Sequence, residues 1–157
     1  MVARSSFIGA LLVLLLLSAC DNTRMMDENK DVPQHGWIYN QPLMLEVPVT
    51  DTAMEYKLFV NLRISGDYPY SNFFYMLKQE SPSRVERSFK GELELADDQG
   101  QWLGKGLGDL LDYQVPVKGV LKFPEKGIYQ FRLFQNMRSD TLNHVLSAGI
   151  RIEKSKP

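Results

Sequence analysis

The sequence predicts an all-β protein: an antiparallel β-sandwich of about seven to eight strands, immunoglobulin-like or jelly-roll-like, behind a cleaved signal peptide. Three observations predict it. From Gly36 onward apolar residues recur with a period of two, as on a strand whose alternate side chains face a core. Clusters of Gly, Pro, Ser, Asn and Asp interrupt these runs at short intervals, which is the punctuation of turns. No stretch after the leader sustains the 3.6-residue spacing of an amphipathic helix.

Residues 1–19 read as the signal peptide. Arg4 and the amino terminus give a weakly positive start, residues 7–17 an uncharged, mostly aliphatic run, and Ser18-Ala19 the small residues that a signal peptidase requires. That run of 11 residues rises about 16 Å as a helix, well short of a ~30 Å hydrocarbon core. Cys20 is the single cysteine of the chain. Leu17-Ser18-Ala19-Cys20 resembles the bacterial lipobox, which implies cleavage before Cys20, thioether lipidation of its sulfur and acylation, as by palmitate, of the new amino terminus. A thiolate is the nucleophile such a step needs, and no second cysteine competes for it in a disulfide. Two or more acyl chains hold a protein stably on a membrane.

Residues 20–35 are expected to be the lipidated amino terminus and a flexible tether. The stretch DNTRMMDENKDVPQ is polar and uneven in pattern, and as random coil its 14 residues would reach roughly 20 Å. Met25-Met26 interrupt it with apolar side chains that can dock on a domain.

Residues 36–157 are the sandwich. Leu43, Leu45, Val47 and Val49 alternate with their neighbours, and Tyr56, Leu58, Val60, Leu62 and Ile64 alternate with Lys57, Phe59, Asn61 and Arg63. Further strands are expected over 73–80, 84–96, 113–123, 128–136 and 147–153, with one helical turn over 108–111. Glu125-Lys126-Gly127-Ile128-Tyr129-Gln130-Phe131 has the spacing of a tyrosine corner, in which the phenol turns back to a backbone group upstream.

Composition removes several function classes. With 18 basic and 19 acidic side chains the formal charge is −1, so no field is expected to draw in nucleic acid or anionic lipid. His35 and His144 are far apart in sequence, and with no thiol available a zinc site is not expected. Gly104-Lys105-Gly106-Leu107-Gly108 lacks the Walker spacing and the strand–helix frame of a phosphate loop. Its glycines are expected to serve a loop of positive φ, with Trp102 and Leu103 packed on the sandwich. Asp97-Asp98 and Asp109/Asp112 are paired acids of the kind a glycosidase uses, but loop aspartates usually bond their own backbone. No spacing supports calcium or a serine nucleophile. The chain is therefore expected to be no enzyme and to carry no metal or cofactor.

Asp67-Tyr68-Pro69-Tyr70-Ser71-Asn72-Phe73-Phe74-Tyr75 packs five aromatics into nine residues. Alternation sends Phe73 and Tyr75 to one side and Phe74 to the other, with Tyr68 and Tyr70 near a loop. Exposed aromatics anchor interfaces or stack on sugar rings.

The leader with Cys20, Gly36-Trp37, the Asp67–Asn72 run, Trp102-Leu103-Gly104-x-Gly106-x-Gly108-Asp109, Phe123-Pro124-Glu125-Lys126-Gly127-x-Tyr129 and Gly149-x-Arg151-Ile152-Glu153-Lys154 together resemble the GldH family of gliding motility lipoproteins. That resemblance spans the chain in order. It implies an envelope lipoprotein of Gram-negative Bacteroidota, needed for gliding over surfaces and working near the motility and type IX secretion machinery. It brings no catalytic residue or cofactor. The expected address is the outer membrane, facing the periplasm, with the membrane and other envelope proteins as partners. The residues expected to serve a partner are Tyr68, Tyr70, Phe74, Trp102 and Asp109. The competing reading is an envelope carbohydrate-binding module that uses the same rings beside Asn72 and Gln101.

Overall fold

The computed structural model describes residues 23–155; the signal peptide and Cys20 lie outside the described residues. Within them are ten strands and no helix: β1 Arg24–Asp31, β2 Trp37–Ile38, β3 Leu43–Val49, β4 Tyr56–Ser65, β5 Asn72–Glu80, β6 Glu86–Glu94, β7 Leu110–Pro116, β8 Gly127–Gln135, β9 Thr141–Leu142 and β10 Val145–Lys154. Their antiparallel pairing is nested. β5 pairs with β6, β4 with β7, β3 with β8, β2 with β9 and β1 with β10, so the chain is one long hairpin closed from the middle outward. Rolling up that hairpin adds β10 against β4 and β5 against β8. The results are two four-stranded sheets, β1-β10-β4-β7 and β3-β8-β5-β6, the strand order of a jelly roll. The sandwich prediction holds, and the jelly-roll form is the one adopted.

The alternation read in the sequence places the core. Tyr56, Leu58, Val60, Leu62 and Ile64 of β4, Phe73, Tyr75 and Leu77 of β5, and Tyr129, Phe131 and Leu133 of β8 are all buried, each contributing about 1.5–3 kcal/mol of apolar burial. Tyr56, Phe123 and Tyr129 stack edge to face at centroid separations of 5.2 and 4.7 Å. The tyrosine corner is present: the Tyr129 hydroxyl donates to the Glu125 carbonyl at 3.0 Å.

Four expectations need correction. Residues 24–31, expected within the tether, form edge strand β1, with Met25 and Met26 packed on the core. The sandwich therefore begins at Arg24, not Gly36. The expected helical turn is instead the start of β7 at Leu110 and Leu111. The strand expected over 113–123 ends at Pro116, beyond which the chain turns through Gly119 at φ 99°. Of the glycine-loop residues only Gly108 takes a positive φ. Gly104 and Gly106 serve close approach, since a Cβ would lie 2.6 Å from the Tyr113 ring and 1.7 Å from the Leu110 carbonyl.

The registers sort the loops into two ends. The base holds the start of β1, the end of β10 and loops 50–55, 81–85 and 117–126. There the Lys154 amide donates to the Thr23 carbonyl at 2.8 Å, and Tyr56 and Leu121 exchange two backbone bonds of 2.9 Å. The apex holds loops 32–42, 66–71, 95–109 and 136–144, stitched by Gly66 N to Asp109 O at 2.8 Å and Tyr39 N to Asp140 O at 3.0 Å.

Candidate docking surface

All five residues singled out for partner binding sit at the apex, in different roles. Tyr68 is buried. Its hydroxyl donates to the Asn72 carbonyl at 3.1 Å, and burial, with Tyr70 adding to it, pushes its phenol well above the ordinary tyrosine range. Tyr68 therefore props Tyr70 from beneath, edge to face at 5.7 Å and 74°. Trp102 is half-buried against the core on the β6–β7 loop, bridged to Ala96, while Leu103 next to it is exposed, not packed as expected. The Asp109 carboxylate lies over Gly66, where a Cβ would meet it at 2.2 Å. The Asp109 backbone carbonyl, accepting from Gly66 N at 2.8 Å, pins the β6–β7 loop to the turn that carries the tyrosines.

Tyr70 and Phe74 are the exposed pair, each about 40% accessible. Alternation puts Phe74 on the outer face of β5, opposite Phe73. Its backbone N–H points to the Met137 sulfur at 3.2 Å, and its carbonyl accepts from Asn136 N at 2.8 Å. Tyr70, Phe74, Asn136, Met137 and Arg138 line a groove of about 430 Å³. On the same face Met76 stands opposite Phe134, and Met44 opposite Arg132. This extends the apolar surface along the sheet with flexible thioether side chains suited to irregular partners.

Sequence reasoning missed a second surface. On the outer face of the other sheet Asn61, only 5% exposed, donates to Asp27 Oδ1 at 2.8 Å and Asn29 Oδ1 at 3.0 Å and accepts from Gln114 Nε2 at 3.0 Å. Beside it Arg63 holds Asp112 through two bonds, at 2.6 and 3.0 Å. A groove of about 560 Å³ runs over this row. The side chains are spent on each other, which tells of sheet cohesion. Only a polar residue at an alternating strand position, Asn61, marked it in the sequence.

The remaining acids are local. Asp97 Oδ1 accepts from Gln99 N at 3.0 Å and Gln101 N at 2.8 Å, a turn cap. Among the described residues no three His, Cys, Asp or Glu side chains are grouped to hold a metal.

The family description "GldH lipoprotein" matches residues 24–152, from the start of β1 to two residues short of the end of β10. The chain belongs to the GldH lipoprotein family. It is similar to the "Gliding motility lipoprotein GldH homolog" of Christiangramia forsetii, 32% identical over 149 residues that cover 90% of this chain and 91% of the relative. It is also similar to the "Gliding motility lipoprotein GldH" of Flavobacterium johnsoniae, 32% identical over 151 residues, covering 92% and 93%. The family match begins at the residue where β1 begins, so the first strand belongs to the shared domain.

Proposed function

We propose that this chain is an envelope lipoprotein of the gliding apparatus, held by acyl chains on Cys20 and acting without catalysis as a docking component. Its place is near the motility and type IX secretion machinery, on the outer membrane facing the periplasm. The observation that carries the role is the family match, running from first strand to last, with relatives named for gliding motility over nine-tenths of the chain. The exposed Tyr70–Phe74 pair supports docking. The sugar-platform alternative draws less support, since Tyr68 is buried, its ring stands at 74° to Tyr70, and Asn72 is engaged with Glu92 at 2.7 Å.

Deleting the gene in its host, with complementation, tests the role by scoring colony spreading and secretion of a type IX cargo together. Lost spreading with normal secretion supports a part in the motility apparatus. Loss of both moves the protein to the secretion machine, and no change in either overturns the reading. Cys20→Ser should leave unprocessed precursor; normal maturation of that variant would remove the lipid anchor.

A further inference from the structure

We infer that the base of the jelly roll is a membrane-contact surface for anionic lipid headgroups, with the β7–β8 loop as its tip. This rests on the reading of Cys20 as the lipid anchor. Because β1 starts at Arg24, only two residues, Asp21 and Asn22, lie between Cys20 and Thr23, and the three backbone steps span about 10 Å at full extension. The base thus stays at the bilayer, where a 14-residue tether would have let the domain roam. The ten residues of β4 run about 33 Å from base to apex, so which end carries which side chains decides what the membrane meets.

The base is built for that meeting. Leu121 is fixed to Tyr56, and Val117 N donates to Leu58 O at 2.8 Å, leaving 118–120 to project through Gly119 at its positive φ. Val120 at this tip is 56% exposed and is flanked by Lys118 and Lys122, both exposed. Lys122 pairs with Glu55 at 2.8 Å yet keeps 68% of its side chain accessible. Lys57, Lys126 and Lys154 are exposed at the same end. An apolar tip ringed by long cationic side chains is the composition that sits at a headgroup boundary. The apex carries the opposite sign: Asp67, Asp97, Asp98, Asp109 and Asp140 against Lys105 and Arg138. At the base Arg24, Lys57, Arg84, Lys118, Lys122, Lys126 and Lys154 stand against Asp51, Glu55, Glu125 and Glu153, so the near-neutral total divides unevenly, with a modest positive excess at the end nearest Cys20. An anionic surface pulls on the base and repels the apex, so the Tyr70–Phe74 groove is held away from the bilayer.

The test uses the full lipoprotein reconstituted into vesicles of phosphatidylethanolamine and phosphatidylglycerol. Acylation consumes the thiol of Cys20, so Val120→Cys and Leu107→Cys each offer one labelling site, and Leu107 at the apex is 91% exposed. Lipids with a nitroxide near the headgroup should quench a fluorophore at 120 about threefold or more over one at 107. Equal quenching at both sites overturns the orientation. Lys118→Glu with Lys122→Glu should reduce quenching at 120 in these vesicles and leave it unchanged in phosphatidylcholine. No reduction overturns the headgroup assignment. The mass of the amino-terminal peptide separates the two premises. An unacylated peptide removes the anchor reading, whereas an acylated one with an unquenched site 120 removes the orientation alone.

Discussion

Gly149 of β10 lies directly beneath Asn29 of β1: the two are register partners, and a Cβ on Gly149 would stand 1.9 Å from the Glu28 carbonyl and 2.5 Å from Asn29 Oδ1. The missing side chain lets the edge strand close over the sheet and brings Asn29 within reach of Asn61 at 3.0 Å. Gly149→Ala must push β1 outward or distort β10. The expected cost is about 3 kcal/mol, in the range of overpacked cores, read as a lower urea midpoint. An unchanged midpoint would contradict this register.

The corner hydroxyl offers a smaller and cleaner effect. Tyr129→Phe keeps the buried ring and deletes only the hydroxyl, which donates to Glu125 O at 3.0 Å and accepts from Glu125 N at 3.3 Å. It should cost about 1 kcal/mol, whereas Tyr129→Ala should cost about 3–5 kcal/mol by emptying the core. Thermal melts of both variants check the ratio.

Adjacent phenylalanines should behave in opposite ways. Phe73 is fully buried and stacks on Trp37 at 5.8 Å, so Phe73→Ala should cost about 3–5 kcal/mol. Phe74→Ala combined with Tyr70→Ala removes half-exposed rings and should cost under about 1 kcal/mol. The double variant should nevertheless lose partner recovery after cross-linking in cells. Retained recovery would move the docking site elsewhere on the molecule.

Acid should weaken the base through Glu125. Ser83 donates to its carboxylate from the hydroxyl at 2.5 Å and the amide at 3.1 Å, and these bonds hold its pKa below the ordinary glutamate value of 4.5. A depressed folded-state pKa means the ionised form is preferred in the native state. The resulting stabilisation is complete above the unfolded value and disappears as pH falls through the folded one. Glu125→Gln should flatten the dependence of the urea midpoint on pH below about 5. Parallel curves for the two proteins would show that the pair makes no such contribution.

The period-two runs of β3, β4, β5 and β8 were legible because each buries one face, and a single register satisfies that pattern. β1 was not. Its sequence RMMDENKD is an edge strand whose outward side chains are Asp27 and Asn29, and polar edges read as linker because charge there discourages pairing with other chains. Tyr68 was legible as an aromatic near a loop but not as buried, because its cover comes from a turn folding back on Asn72. The Asn61 row was marked in the sequence by Asn61 alone, since its other members, Asp27, Asn29 and Gln114, come from strands far apart in the chain. The exposed position of Phe74 followed from alternation alone.

The nested pairing also dictates an order of assembly. β5 and β6 meet across a five-residue turn, 81–85, and close at the lowest entropic cost, while each pair outward must close a longer loop. The outermost, β1 with β10, joins the first described strand to the last. A chain emerging amino terminus first therefore exposes β1 before anything exists to pair with it, and β1 stays open until β10 arrives. β1 is therefore the last strand to be secured, and loss of the final ten residues, which takes most of β10, would leave both β1 and β4 without that partner.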